Sequence, residues 1–250
     1  MLSVSLVCAG LLSCGPKGGT DVGNGATVSF NLRAIEDGEG SSSAHVVKLK
    51  NGVEIDSVWI AVEHFELRSG EDCGGDVGQN VSYEGRAIAN LVTAGITGER
   101  PVFDVPAGPY CRLRMRLHKV AANDVPTEAP AELAGNSILI TGRRADQVPF
   151  TVTSTVNVNF RLDASDSSFE VEGDEPFILG FSLLAMIDSL ALDTYTVDPI
   201  VISDALAPQV VNEFDRALRQ AVSMHRDTNA DGALSVDESA SRVADGSAEE

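Results

Sequence analysis

Residues 150–162 constrain the fold more than any other stretch of the chain. Phe150, Val152, Val156, Val158, Phe160 and Leu162 share one parity, with Ser154 the single polar interruption. Thr151, Thr153, Thr155, Asn157, Asn159 and Arg161 share the other. Side chains alternate between the two faces of a strand, so the pattern predicts one long strand with a buried face. Cys111, Leu113, Met115 and Leu117 alternate in the same way with Arg112, Arg114, Arg116 and His118, and Val28, Phe30 and Leu32 with Ser29, Asn31 and Arg33. In 57–67 the parity changes between Val58, Ile60, Val62 and Phe65, Leu67, which a β-bulge near Glu63-His64 reconciles. Further strands are predicted near 86–92, 100–104, 136–141 and 176–184. Turn signals at Asn51-Gly52, Pro106-Ala107-Gly108-Pro109, Thr141-Gly142 and Gly173-Asp174 separate them. About eight alternating strands predict a mainly β fold, an antiparallel β-sandwich over residues 26–190.

Val105-Pro106-Ala107-Gly108-Pro109-Tyr110, followed by an alternating strand, resembles the PAG-x-Y hairpin of transthyretin-like and immunoglobulin-like bacterial surface modules. With Ile55-Asp56-Ser57-Val58-Trp59-Ile60-Ala61-Val62 and Ala89-Asn90-Leu91, the chain is similar to a lipoprotein domain of unknown function with that sandwich fold. The resemblance implies the sandwich and implies no catalytic residues. Beyond it, Phe177, Ile178, Leu179, Phe181, Leu183 and Leu184 predict a buried strand leading into a short helix at about 185–192. Residues 191–207 read as a connector.

The strongest chemical signal is Asp227-Thr228-Asn229-Ala230-Asp231-Gly232-Ala233-Leu234-Ser235-Val236-Asp237-Glu238, which matches D-x-[DN]-x-[DN]-G-x₅-E throughout. Ca²⁺ is a hard cation that takes six to eight oxygen ligands. Asp227, Asn229 and Asp231 offer side-chain oxygens, Ala233 its carbonyl, Ser235 a ninth-position ligand often supplied through water, and Glu238 two carboxylate oxygens. Gly232 permits the bend. Val211, Phe214, Leu218 and Val222 predict a helix before the loop, and Val236, Ala240 and Val243 a short one after it. Residues 208–250 therefore resemble an EF-hand, a small C-terminal α-helical segment, and the loop is equally similar to that of dockerins. Both families normally pair two loops. A single copy implies weak affinity, roughly 10⁻⁴–10⁻³ M as in extracellular modules. The polar tail 244–250 is expected to fray.

Residues 1–14 read as an export signal. Leu2, Val4, Leu6, Val7, Ala9, Leu11 and Leu12 form an apolar stretch too short to span a bilayer. Leu11-Leu12-Ser13-Cys14 resembles the lipobox of bacterial lipoproteins, which implies lipidation at Cys14 and membrane attachment through that lipid. No Lys or Arg precedes Lys17, a departure from the usual basic start. Residues 15–25 form a glycine-rich tether. Cys73 and Cys111 remain in the mature chain, and in an oxidising compartment a disulfide is the default, with two inert thiols as the alternative.

The formal net charge is −19. It disfavours nucleic acid, whose phosphates are held by Lys and Arg. The Arg112, Arg114, Arg116 stripe offers a seat for an anionic ligand or, more simply, solvated charges balanced by neighbouring carboxylates. The acidic stretch 163–175 reads as a solvated loop rather than a second cation site. Nucleophile-elbow, P-loop and zinc patterns are missing from the sequence. The chain thus reads as a non-enzymatic, calcium-binding, lipid-anchored extracytoplasmic protein of the bacterial envelope, a binding or structural module for a protein or carbohydrate ligand. A dockerin-like adaptor and a hydrolase with an unrecognised site are the alternatives.

Overall fold

The computed structural model describes residues 25–35, 46–71, 73, 78–93, 95–98, 100–164 and 167–247. The export signal with Cys14, and the tether up to residue 24, lie outside the described residues.

The first half of the chain supplies β1 (Gly25–Ile35), β2 (Val47–Lys48), β3 (Glu54–Ser69), β4 (Asn80–Asn90), β5 (Gly95–Gly98), β6 (Val102–Pro106) and β7 (Gly108–Leu117). The second half supplies β8 (Ile138–Arg143), β9 (Pro149–Ser154), β10 (Asn159–Ala164), β11 (Phe169–Val171), β12 (Asp174–Ser182), the helix α1 (Leu183–Asp188) and β13 (Ile200–Ile202). The C-terminal part runs through α2 (Pro208–Gln220), β14 (Val222–Arg226), α3 (Val236–Ser239) and β15 (Arg242–Ser247). Among the described residues no helix is long and apolar enough to cross a membrane.

The expected antiparallel sandwich is not what forms. The fifteen strands among the described residues belong to one mixed sheet with the main path β13-β9-β8-β3-β7-β10-β15-β14-β12-β1-β6, from which β2, β4, β5 and β11 branch. β1 runs parallel to β12 and antiparallel to β6, and β13 runs parallel to β9. The sheet curls into a half-barrel instead of splitting into two layers. Its far strands return towards β4: the Ala34 N–H donates to the Leu91 carbonyl at 3.1 Å, and the Tyr83 and Phe103 rings stack at 5.5 Å. Phe30 lies in the middle, 5.4 Å from Phe65 and 5.8 Å from Phe177 between ring centroids, so strands distant along the sheet meet through one apolar interior. The continuous apolar run in β12 is the sign of a central strand. Phe177, Ile178, Leu179 and Phe181 are all buried, whichever way they point.

The long strand expected at 150–162 is two strands. β9 pairs with β8 and β13, whereas β10 pairs with β7 and β15. The break follows the polar interruption. Buried Ser154 donates its hydroxyl to Asp215 Oδ1 in α2 at 3.1 Å and accepts from the Val156 N–H at 3.1 Å. The Thr155 N–H goes to Asp204 Oδ2 at 2.8 Å. Backbone donors that a neighbouring strand would claim are taken by side chains, so the ladder stops. In β3 the register slips between Glu63 and Phe65 against both β4 and β7, with His64 at φ 58°, a bulge at the parity change. Cys73 and Cys111 form a disulfide with Cα atoms 5.1 Å apart.

The helical C-terminal segment also needs correction. α2 buries Val211, Phe214 and Leu218, but the chain straightens at Val222 into β14, and α3 lasts four residues before β15. Residues 208–247 thus add strands to the same sheet, β14 between β12 and β15. Alternation explains β14: Val222 and Met224 enter the core. The tail expected to fray is held as β15 as far as Ser247, against β10 and β14. Gly246 makes this contact possible, because a Cβ there would lie 2.2 Å from the Arg219 carbonyl oxygen at the end of α2.

Candidate metal centre

The loop Asp227–Glu238 connects the antiparallel strands β14 and β15, so the sheet fixes both of its ends. Asp227 is tied to β12 through its N–H, which donates to the Pro176 carbonyl at 3.0 Å. Within the loop, backbone N–H groups orient the acidic side chains. Gly232 N–H donates to Asp227 Oδ2 at 2.9 Å, Asp231 N–H to Asn229 Oδ1 at 2.9 Å, and Ala233 N–H to Asp231 Oδ1 at 2.7 Å. The Asn229 and Asp231 bonds each reach the backbone two residues on, the Asx-turn pattern that bends the loop locally. Gly232 sits at φ 72°, a conformation costly for other residues, and a Cβ would lie 3.0 Å from Asn31 Nδ2. Ala230 adopts φ 57° without that excuse, which stores about 1 kcal/mol of strain.

Glu238 returns to the start of the loop from α3. Its Oε1 accepts from the Thr228 N–H at 2.9 Å and the Asn229 N–H at 3.4 Å, and its Oε2 from the Ser235 N–H at 2.9 Å. Ser235 completes a capping box by accepting the Glu238 N–H at 3.2 Å. Burial pushes the Glu238 carboxyl up, but hydrogen bonds from Ser235, Asn229 and Thr228 outweigh it and hold the group below the ordinary glutamate range. Glu238 is a carboxylate fixed in place before any ion arrives.

Asp227, Asp231 and Glu238 each bring one carboxylate oxygen into a cluster whose members lie within 4.8 Å of one another. Asp227 and Glu238 are buried and Asp231 is exposed. This cluster could hold a metal ion. The decisive atom is Asp227 Oδ1: the residue is 2% exposed and this oxygen has no hydrogen-bond partner among the described residues. A buried carboxylate oxygen without a donor is unfavourable, and a cation at the centre of the cluster relieves it. Of the six residues expected to ligate, the structure gathers the carboxylates of Asp227, Asp231 and Glu238. It places the Asn229 side chain on Asp231, with Nδ2 to Oδ2 at 3.1 Å, and gives the Ser235 hydroxyl its capping role. Ala233 follows the kink as the donor to Asp231.

Several residues around the loop were not legible in the sequence. Arg33 of β1 donates from Nε to the Gly232 carbonyl, across 199 positions. Buried His225 lies with Nδ1 3.3 Å from the Glu238 carbonyl oxygen and Nε2 2.8 Å from Ser223 Oγ. A carbonyl can only accept, so Nδ1 carries the proton and Nε2 receives the Ser223 hydroxyl. Burial pushes the His225 imidazole towards its neutral form. Serine and histidine are both inside the protein, and their contacts brace the end of the metal loop.

Arg112 reaches Asp163 at 2.6 Å and Arg116 reaches Glu63 at 2.9 Å, so the arginine stripe is matched by carboxylates on the strands flanking it. Within the acidic stretch 163–175, Asp163 also receives Arg161, and Glu175 is held by Arg226.

No protein-family model matches the chain, and no curated protein matches it. Among solved structures it is similar to MbnP from Methylosinus trichosporium, with 14% sequence identity and a TM-score of 0.33 over 70% of this chain and 79% of that one. A likeness at that level carries no inference about function.

Proposed function

We propose that this chain is a calcium-binding, lipid-anchored extracytoplasmic protein of the bacterial cell envelope that serves as a non-enzymatic binding or structural module. The observation that carries the calcium reading is the unpartnered Oδ1 of Asp227, a buried carboxylate that clusters with Asp231 and Glu238. The donors are all oxygen, which suits a hard cation better than zinc or copper. The twelve-residue spacing adds Asn229, the Ala233 carbonyl and the Ser235 position, enough oxygens for Ca²⁺ and more than Mg²⁺ usually draws from protein. Leu234 and Phe214 are buried, at 4% and 0% exposure, which favours an ion that stabilises the β14–β15 connection over one that frees a helical face for a partner.

Calorimetric titration of the mature chain with Ca²⁺ tests the proposal. Heat is expected with a Kd of roughly 10⁻⁴–10⁻³ M, and Glu238→Gln should weaken it by an order of magnitude or more. No heat from the unmutated chain at millimolar metal ends the calcium reading. The anchor has a separate check. The full-length precursor expressed in a bacterium should partition into detergent, and Cys14→Ser should move it to the aqueous phase. Equal partitioning of the two forms removes the anchor.

A further inference from the structure

A surface pocket of about 290 Å³ opens beside the metal loop, lined by Asn31 and Arg33 of β1, Ile96, Arg100 and the loop at Asp231 and Gly232. Two guanidinium groups converge here. Burial, followed by the nearness of Arg100, lowers the Arg33 pKa, and only Asp227 and Asp231 offset these effects. Arg33 Nη1 and Asn31 Nδ2 are buried donors with no hydrogen-bond partner among the described residues, and Asn31 is 6% exposed. Unpaired donors under a pocket ask for an acceptor, as the unpaired Asp227 oxygen asks for a cation.

From this juxtaposition we infer that the pocket binds a compact oxyanion, a carboxylate or a phosphate monoester group, and binds it more tightly when the neighbouring loop holds its metal. The coupling follows from charge. Without metal, Asp227, Asp231 and Glu238 outnumber Arg33 and Arg100, and the neighbourhood is net negative. A divalent ion on the three carboxylates turns it net positive, and the arginines are left to attract an anion. Arg33 links the two sites physically, with Nε on the Gly232 carbonyl while the residue also lines the pocket. The planar fork of Arg33 and the point donor of Asn31 suit two oxygens of one anionic group. The inference rests on the calcium reading and assigns a ligand chemistry to the envelope module.

The test is an NMR titration of the ¹⁵N-labelled mature chain. The Asn31 side-chain amide and the Arg33 Nε–H are followed as acetate in one arm, or methyl phosphate in the other, is added with calcium and with chelator. The two arms tell a carboxylate from a phosphate source. Saturation is expected at a concentration about five-fold or more lower with calcium, and linkage requires the anion to raise calcium affinity by the same factor. Arg100→Ala should abolish this gain while calorimetry still shows calcium binding. If calcium binds but neither anion moves the Asn31 and Arg33 signals, the inference fails and the calcium reading stands. Equal anion binding with calcium and with chelator also overturns it. If calcium itself does not bind, both fall.

Discussion

With calcium removed by chelator, Asp227→Asn is expected to unfold at a higher temperature than the unmutated chain; in excess calcium the order should reverse. Asp227 is buried with one oxygen satisfied by the Gly232 N–H at 2.9 Å and the other unpartnered. Asparagine keeps an acceptor for Gly232 and removes a buried charge that Arg33 offsets through its own charge but without a hydrogen bond to Oδ1. Relieving an unsatisfied buried polar group is worth about 1–3 kcal/mol. Calcium changes the comparison, because a ligand that binds only the folded state stabilises it by about 2.7 kcal/mol at a hundredfold excess over its Kd. The asparagine form forgoes most of that gain, since it has lost a charged ligand. Paired thermal melts in chelator and in excess calcium check the crossing. If the unmutated chain is the more stable in both conditions, the unpaired oxygen is not a penalty and the site was not built around an ion.

The sequence was most informative where physics is local. Period-two alternation placed the strands around Phe30, Leu113 and Phe65, and the change of parity at Glu63-His64 marked the bulge, because each depends on where successive side chains point. The metal loop was legible for the same reason, its carboxylates being fixed by spacing within twelve residues. Pairing between strands was not local. Nothing in Thr27–Ile35 says that it will lie parallel to Asp174–Ser182 rather than face it across a sandwich. Ser154 looked like a blemish on one apolar face until Asp215, 61 positions later, supplied its partner and a reason for the strand to end. The helices expected around the loop form, α2 ahead of it and α3 from Val236, but both stop short, before Val222 and Val243, because tertiary pairing overrode the pattern: β12 and β10 offered edges that two short strands could fill. Asn31 and Arg33 showed only as the polar parity of β1, and their place under the loop exists only once the half-barrel curls.

Raising the pH from 4 to 7 should destabilise the chain through Asp215, an effect that Asp215→Asn removes. Asp215 is 9% exposed, and burial pushes its carboxyl up to about 6; the Ser154 hydrogen bond opposes this, Asp204 adds to it and Arg219 opposes it. The ordinary aspartate value is 3.8, so the folded state holds a proton that the unfolded state has released. Stability is therefore greatest, as far as this group decides it, below the unfolded value. It falls as pH rises, and the loss is complete above the folded value near 6. A shift of about two pH units corresponds to roughly 3 kcal/mol. Asp163 and Glu238 act in the opposite sense, because their carboxyls are held below the ordinary range and lose stability as pH falls. The overall pH profile mixes these contributions, and the difference between the two proteins isolates Asp215. That difference in unfolding free energy, from urea melts, should favour the asparagine form and grow by about 2–3 kcal/mol between pH 4 and 7. Asparagine still accepts the Ser154 hydroxyl, so the link between α2 and β9 survives without the charge. A difference that stays constant over this range would mean that Asp215 is ionised and compensated in the folded protein, with Arg219 a closer partner than the packing of α2 allows.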